Sequence, residues 1–293
     1  MHELTIESSD EGVLVSAGRV TVADYRATGD VGPVNTPKPY FHPLRTLSGV
    51  DVTGFAPDDH PWHHGLQFAF PRVGRHNLWG GGTYFDAERG YEVVADQGSI
   101  RHDRWGTIAA AGSAAEINQS ATWLGHSGEV LLKEERRWSL RVSEEKWPAL
   151  VVDLATSLAN VTEAPIALAT PAQRGRPDGG YGGLFLRLGE NFSAERIIGD
   201  DGDISASGAA SRTMVVHGRT GSGEPVTLGL SFLPAGSPGA QKWLYRFEPF
   251  SAIGWAVSYD VGLEIATDGW VAFNHRLVIS DGHVDPAEMQ EIL

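Results

Sequence analysis

Helical patterning is nearly absent from this chain of 293 residues. Short stretches with alternating or continuous apolar residues recur instead, and turn residues separate them. Strands without intervening helices favour antiparallel sheets, and a dozen or more of them require two large packed sheets or a barrel. The sequence therefore predicts an all-β fold, a large antiparallel two-sheet β-sandwich with few short helices. The strands that illustrate the pattern are Leu4–Glu7, Val13–Val15, Val20–Tyr25, Thr107–Ala111, Val130–Arg141, Leu150–Ala159, Ile166–Thr170, Leu184–Leu188, Arg212–His217, Val226–Leu233, Trp243–Phe247, Gly254–Ile265 and Trp270–Ile279.

No linker divides the chain, because its 36 glycines and 16 prolines are spread throughout. We therefore expect one domain over residues 1–293, the alternative being a split near Asn160–Glu163 into two smaller sandwiches. A helix is predicted at the C-terminus, with Asp285 as N-cap, Pro286 at the first helical position and Glu288 completing a capping box.

The segment Glu129–Arg141 has helical propensity, but the even spacing of its apolar residues favours a strand. Within it, the four charged residues Glu134–Arg137 are expected to form a solvated, charge-paired face.

The charge balance is 23 basic against 37 acidic side chains, a net charge of −14. Nucleic acids and anionic membrane surfaces select for clustered positive charge, so neither is an expected partner. There are no cysteines, which excludes disulfides, thiolate metal sites and a cysteine nucleophile and fits a reducing cytoplasm. Because no signal peptide or spanning segment is evident either, we expect a cytoplasmic protein.

Chemistry-bearing side chains concentrate in Pro39–Gly82, which holds five of the eleven histidines. Three of those five lie within the motif DDHPWHHG, at His60, His63 and His64. Imidazole can act as a general acid or base, as a metal ligand, or as a hydrogen-bonding group for hydroxyls. The cluster therefore predicts a functional site, whereas each histidine by itself is more readily explained by packing and a backbone hydrogen bond.

Pro57 and Pro61 make a helix improbable in this motif, so we expect an extended ribbon. Alternation in such a ribbon places His60 and His64 on one face and His63 on the other. His60 and His64 are then expected to cooperate directly.

Three further pieces supply candidate binding residues. Tyr40, His42 and Arg45 belong to PYFHPLR, where Arg45 either holds a ligand or pairs with a surface carboxylate. Trp79 precedes three glycines, and its ring is suited to stacking on a sugar ring or to core packing. The remaining candidates, Arg176, Asp178 and Tyr181, lie in a glycine-rich loop that matches no nucleotide-binding pattern and is otherwise explained as a long turn.

The motifs PYFHPLRTLSG, DHPWHHGLQFAF, NLWGGGTY, GRPDGGYGGLFLR and LVISDG together resemble the bacterial family labelled "methane oxygenase PmoA", which is distinct from the membrane methane monooxygenase subunit. The motifs extend from Pro39 to Gly282. The resemblance implies a domain of unknown function associated with sugar catabolism, and a large supersandwich similar to galactose mutarotase. Mutarotase-like enzymes use a late-strand glutamate as base, for which Glu264 is the candidate in this sequence.

The resulting hypothesis is a carbohydrate-processing enzyme of epimerase, isomerase, lyase or hydrolase type, whose ligand is a small sugar or sugar derivative. The candidate catalytic residues are His60, His63, His64 and Asp178. The candidate substrate-binding residues are Tyr40, His42, Arg45, Trp79, Arg176 and Tyr181.

Two alternatives stay open. In the first, the chain is a metal-dependent enzyme in which His60, His64 and either His42 or Asp58 are ligands to Zn²⁺, Fe²⁺ or Mn²⁺. In the second, the chain is a non-catalytic carbohydrate-binding or regulatory module. The sequence also leaves open whether the chain forms a homo-oligomer.

Overall fold

The computed structural model describes residues 2–29, 31–144, 146–233 and 242–293. Besides strands it has one α-helix, α1 (Pro286–Gln290), and two short 3-10 helices, Pro33–Asn35 and Pro171–Arg174. In chain order the strands are β1 (Leu4–Ser8), β2 (Gly12–Ala17), β3 (Val20–Arg26), β4 (Tyr40–Leu44), β5 (Leu66–Ala69), β6 (Arg72–Val73), β7 (Thr83–Tyr84), β8 (Tyr91–Glu92), β9 (Ser99–Ala111), β10 (Ala114–Leu124), β11 (Val130–Ser143), β12 (Ala149–Asn160), β13 (Ile166–Ala169), β14 (Gly183–Arg187), β15 (Ser193–Gly199), β16 (Gly202–Asp203), β17 (Thr213–Arg219), β18 (Pro225–Phe232), β19 (Lys242–Arg246), β20 (Ala252–Ala256), β21 (Leu263–Ile265) and β22 (Trp270–Asp281).

Two large antiparallel sheets dominate the described residues, which confirms the predicted all-β sandwich. The eight-stranded sheet has the order β1-β2-β3-β4-β5-β14-β20-β19, and the nine-stranded sheet has the order β16-β15-β17-β18-β22-β12-β11-β10-β9. Each sheet takes strands from both sides of Asn160, so a division at that point would cut through both. Two small sheets, β21-β13-β6 and β7-β8, accompany them.

The sheets pack face to face through large apolar side chains. Phe41 of β4 meets Trp138 of β11 with ring centroids 4.9 Å apart, and Phe68 of β5 meets Phe273 of β22 at 5.4 Å. All four rings are fully or almost fully buried. Both contacts bury apolar area, and the Phe41–Trp138 pair also has a favourable edge-to-face geometry.

A buried ion pair also lies between the sheets, which corrects the expectation that Glu134–Arg137 is a solvated face. The side chains of Glu134 and Arg136 are both 0% exposed, and Arg136 Nε donates to Glu134 Oε1 at 2.8 Å. Arg136 Nη1 also donates to the hydroxyl of Tyr25 on β3, at 3.0 Å. Because strand side chains alternate, Glu135 and Arg137 of the same run are exposed while their neighbours face the core.

The opposite face of the eight-stranded sheet carries a different set of side chains. All of Leu184, Phe185 and Leu186 on β14 are buried, and alternation turns Phe185 and Arg187 to the face opposite that of Leu184 and Leu186. Register pairs Arg187 with Ala252 of β20, and Ala252 in turn with Arg246 of β19. The loops 57–65 and 77–82 lie over this outer face.

The C-terminal helix is confirmed where it was predicted. Asp285 is its N-cap, with Oδ1 accepting a hydrogen bond from the backbone N–H of Ala287 at 2.8 Å, and Pro286 is the first helical residue. Within the described ranges, no helix is long and apolar enough to cross a membrane.

The buried pair gives a stability prediction. Replacing Arg136 by Met leaves the Glu134 carboxylate buried without its cation, so we expect the free energy of unfolding to fall by about 3–5 kcal/mol. Chemical denaturation followed by tryptophan fluorescence measures this change. Arg137→Met on the exposed face of the same strand is the matched control, with an expected change below about 0.5 kcal/mol. Equal losses in the two variants would contradict the assignment.

Candidate functional site

A cavity of about 430 Å³ lies on the outer face of the eight-stranded sheet, above strands β14, β20 and β19. Its volume falls within the range of small-molecule sites, roughly 300–1,000 Å³. Phe185, Ala252 and Leu244 contribute from the strands. The remaining lining residues are His60, Trp62, His63, Trp79, Gly80, Gly82, Tyr91, Arg176, Asp178, Tyr181, Arg246, Pro249 and Phe250.

The histidine motif forms two consecutive turns rather than an extended ribbon. The backbone N–H of His60 donates to Pro57 O at 2.9 Å, and the N–H of His63 donates to His60 O at 3.0 Å. Such i to i+3 turns bring together residues three apart in sequence. The expected partnership of His60 with His64 is therefore wrong, and His60 instead stacks on His63 with ring centroids 4.8 Å apart and an interplanar angle of 18°.

His63 is the inner imidazole of the stack. It is 3% exposed, and burial, followed by the positive groups around it, holds its pKa well below the ordinary value. Arg187 Nη1 lies 3.4 Å from His63 Nδ1. Because a guanidinium only donates hydrogen bonds, this contact favours a neutral ring with its proton on Nε2.

His60 is the outer imidazole and is half-buried. Its Nδ1 lies 2.9 Å from Asp59 Oδ2, which favours a proton on Nδ1 and leaves Nε2 as the proton-accepting atom. Burial lowers the pKa of His60, Asp59 raises it in part, and Arg187 and Arg246 lower it again, with a net downward shift. The imidazole is therefore neutral at neutral pH and can act as a base.

A buried lysine supports the segment Trp79–Gly82 of the cavity wall through a hydrogen bond to its backbone. Lys38 is fully buried, and its Nζ donates to the backbone oxygens of Trp79 and Thr36, each at 2.9 Å. Burial lowers the pKa of Lys38 to about 7. A Cβ on Gly81 would fall 2.7 Å from the Trp62 ring, so glycine is needed for this close approach.

Trp79 lines the cavity but is only 3% exposed. Its ring packs against Tyr181 and Phe185, with centroid distances of 4.9 Å to each. Much of its surface is therefore used in packing, and Trp62 is the more accessible tryptophan of the wall.

The glycine-rich loop brings Arg176, Asp178 and Tyr181 to the same cavity as the histidines. The Tyr181 hydroxyl is hydrogen bonded to that of Tyr91 at 2.7 Å, and the Arg176 guanidinium lies 4.8 Å from the centroid of the Tyr91 ring. Burial raises the pKa of Tyr181 well above its ordinary value, so the hydroxyl keeps its proton. Asp178 has a φ of +53°. Its carboxylate lines the cavity, although the carboxylate within ion-pair distance of His60 is Asp59.

Three other candidates form a separate aromatic cluster around Phe55. His64 stacks on Phe55 at 5.1 Å, and its Nε2 donates to Pro61 O at 3.0 Å. Burial lowers the pKa of His64 to about 3. His42 stacks on the same ring at 5.3 Å, and Tyr40 lies against it at 5.1 Å. None of the three is among the residues that line the cavity.

Arg45 pairs with a surface carboxylate, which was the alternative to ligand binding: its Nε donates to Asp51 Oδ1 at 2.6 Å. Glu264 lies on β21 of the small sheet, exposed and paired in register with Ala167. Both are outside the cavity lining.

The four candidate metal ligands lie in three different places. His60 faces the cavity and Asp58 is exposed beside a neighbouring groove, while His42 and His64 stack on Phe55. Among the described residues, no three His, Asp or Glu side chains are arranged to hold a metal ion.

Sequence reasoning missed several residues of the site, chiefly Arg246, Phe250 and Arg187. Arg246 and Arg187 sit on strands that were predicted as strands, but their position beside the histidines depends on β14, β20 and β19 being neighbours. Phe250 contacts both imidazoles, with centroid distances of 4.5 Å to His60 and 5.5 Å to His63. The only local signal was the cluster RFEPF, in which an arginine and two aromatics surround a proline.

The chain belongs to a family whose model covers nearly its whole length. It matches the family described as "Family of unknown function (DUF6807)" over residues 12–293. No curated protein gives a significant match.

The contact between Asp59 and His60 can be tested by titration. Because the carboxylate raises the pKa of His60, we expect Asp59→Asn to lower it further below 6.5, as measured by NMR of the imidazole ring. Asp58→Asn is the matched control, since Asp58 makes no contact with the His60 ring in the described structure and should leave the pKa unchanged. A rise in the pKa of His60 on replacing Asp59 would contradict the geometry.

Proposed function

We propose that this chain is a carbohydrate-processing enzyme that acts on a sugar or sugar derivative by acid-base chemistry in the 430 Å³ cavity. The observation that carries the proposal is the stacked pair of neutral imidazoles, His60 and His63, on the wall of a cavity that is also lined by aromatic rings and hydrogen-bonding groups. Opening, epimerising or cleaving a sugar requires one group to accept a proton and another to supply one.

His60 is the proposed base. Its Nδ1 is in ion-pair contact with Asp59 at 2.9 Å without an aligned hydrogen bond, and the carboxylate favours the proton on Nδ1, so Nε2 is the atom that accepts the proton. A carboxylate in this position fixes the tautomer and stabilises the imidazolium that forms, as in other carboxylate–histidine pairs. Asp59 is therefore a positioning residue, and His63 supports the ring of His60 from below.

Tyr181 is the proposed proton donor, since it lines the cavity and retains its proton at neutral pH. Its hydroxyl is shared with Tyr91, which provides a route by which the proton is replaced. Asp178 is the second carboxylate of the cavity and is suited to accepting hydrogen bonds from substrate hydroxyls.

The carbohydrate part of the proposal has two supports. The sequence motifs resemble a family associated with sugar catabolism and a supersandwich of the galactose mutarotase type, a fold-level analogy. Independently, Trp62 and Phe250 are partly exposed and offer apolar ring faces beside polar groups, a combination that suits the C–H and O–H faces of a sugar.

The proposal is tested by incubating the protein with aldoses, keto-sugars, sugar acids and glycosides in D₂O and following them by NMR. We expect turnover of at least one, and a loss of about 10²-fold or more in His60→Gln. Because the pKa of His60 is lowered, the acidic fall in kcat/KM should lie below pH 6.5, where the imidazole becomes protonated.

His283→Gln is the control, since this histidine is surface-exposed, pairs with Glu195 and does not line the cavity. Exchange at a carbon next to a carbonyl identifies proton abstraction, and release of reducing sugar identifies hydrolysis. Saturable binding without any turnover would overturn the proposal in favour of a binding module, and full activity of His60→Gln would overturn the role of His60.

A further inference from the structure

We infer that the ligand of this cavity is anionic, a sugar bearing a carboxylate or phosphate group that is held by Arg246 and Arg176. The sugar part of this inference rests on the proposed function, whereas the anionic part rests on the arginines alone. Carboxylate and phosphate share the chemistry that matters, a set of oxyanion acceptors for the planar fork of a guanidinium.

Strand register places two arginines in one row across the sheet beneath the cavity, with Arg246 lining the cavity and Arg187 lining the neighbouring groove. Arg187 of β14 is directly opposite Ala252 of β20, which is directly opposite Arg246 of β19. Neighbouring strands are spaced by about 4.8 Å, so the two arginine backbones are about 10 Å apart with only the small side chain of Ala252 between them. This arrangement leaves room above Ala252, which lines the cavity.

Aromatic rings hold the guanidinium groups in place. The Arg187 guanidinium lies 4.3 Å from the centroid of the Phe250 ring, and that of Arg246 lies 5.2 Å from the same centroid. On the loop side of the cavity, Arg176 lies over Tyr91. Cation–π contacts of this type orient a guanidinium while leaving its N–H donors available.

None of these three arginines has an ion-pair partner among the described carboxylates. Some arginines elsewhere do have a carboxylate partner, for example Arg89 with Glu92 and Arg219 with Glu195. Arg176 even has a buried Nε without a hydrogen-bond partner. Partly buried cations without counter-ions are costly unless a ligand supplies the charge.

The local charge also runs against the protein as a whole. The chain has a net charge of −14. The charged side chains that line the cavity, however, are two arginines, Arg176 and Arg246, and one carboxylate, Asp178. Directly behind the histidines, Arg187 adds a positive charge and Asp59 a negative one, which makes three guanidiniums against two carboxylates. A cationic cavity in an acidic protein is a specific feature of the site, and it attracts an anion.

The position of the arginines relative to the histidines fits an acid group attached to the reacting molecule. Arg246 acts electrostatically on His60, and both Arg246 and Arg176 act on the Tyr91–Tyr181 pair. A bound oxyanion therefore lies within reach of the proposed base and the proposed donor. In this arrangement the arginines fix the orientation of the sugar, and uniform binding of the oxyanion lowers KM.

The test is equilibrium binding, read from the imidazole NMR signals of His60 and His63. Acetate and inorganic phosphate are the minimal probes, and D-glucuronate and D-glucose 6-phosphate are compared with neutral D-glucose. We expect saturable shifts with the anions and an affinity for at least one anionic sugar that exceeds that for D-glucose by about tenfold or more. Comparison of the uronate with the phosphate ester identifies which oxyanion is preferred.

Arg246→Gln should reduce the anionic preference to about threefold or less while leaving the affinity for D-glucose unchanged. Arg176→Gln provides a second, independent variant of the same kind. Arg174→Gln is the matched control, because Arg174 is exposed on the same loop, two residues away, and does not line the cavity. Its anionic preference should equal that of the wild type.

Equal affinity for charged and neutral sugars, absence of any saturable response to the anions, or an unchanged preference in Arg246→Gln would each overturn the inference. These outcomes are separable from failure of the proposed function. Anion binding without turnover would overturn the proposed enzyme activity but support the inference of an anionic ligand. Turnover of neutral sugars without an anionic preference would support the enzyme activity but overturn the inference of an anionic ligand.

Discussion

The packing of the two sheets depends on a buried ion pair between them, whose charged groups must all be hydrogen bonded. Glu134 and Arg136 sit on a strand of the nine-stranded sheet, and the Arg136 guanidinium also reaches Tyr25 on the eight-stranded sheet. Trp123 and Thr156 donate the remaining hydrogen bonds to the Glu134 carboxylate. Buried charge is tolerated only with such complete pairing, so this network favours one relative placement of the sheets.

That placement leaves the other face of the eight-stranded sheet free to build a site. Each residue turned toward the core places its strand neighbour on the outer face, so the packing of Leu184 and Leu186 fixes where Phe185 and Arg187 project. The loops then close over these side chains, held by Lys38 beneath Trp79. A rigid sheet that supports functional loops is a common way of keeping reactive groups in a fixed geometry.

The chemical character of the site comes from placing neutral imidazoles beside unpaired guanidiniums. Burial and nearby positive charge both disfavour protonation of His60 and His63, so the two rings stay neutral where an isolated histidine would be partly charged. Arg187 contacts His63 and also lowers the pKa of His60, and Arg246 of the proposed oxyanion site lowers the pKa of His60 as well. The proposed base and the proposed oxyanion site are thus electrostatically coupled.

The sequence by itself determined the all-β class, most strand positions, the C-terminal helix and the two segments that meet at the cavity. These follow from local periodicity and from the rarity of so many titratable groups in a short stretch. It failed where an answer depended on turns or on strand neighbours. His60 pairs with His63 because two turns replace the extended ribbon, and Arg246 joins the site because β19 lies beside β20. Only the tertiary structure decided these contacts, since a residue's own neighbours in sequence carry no record of which distant strand will be hydrogen bonded next to it.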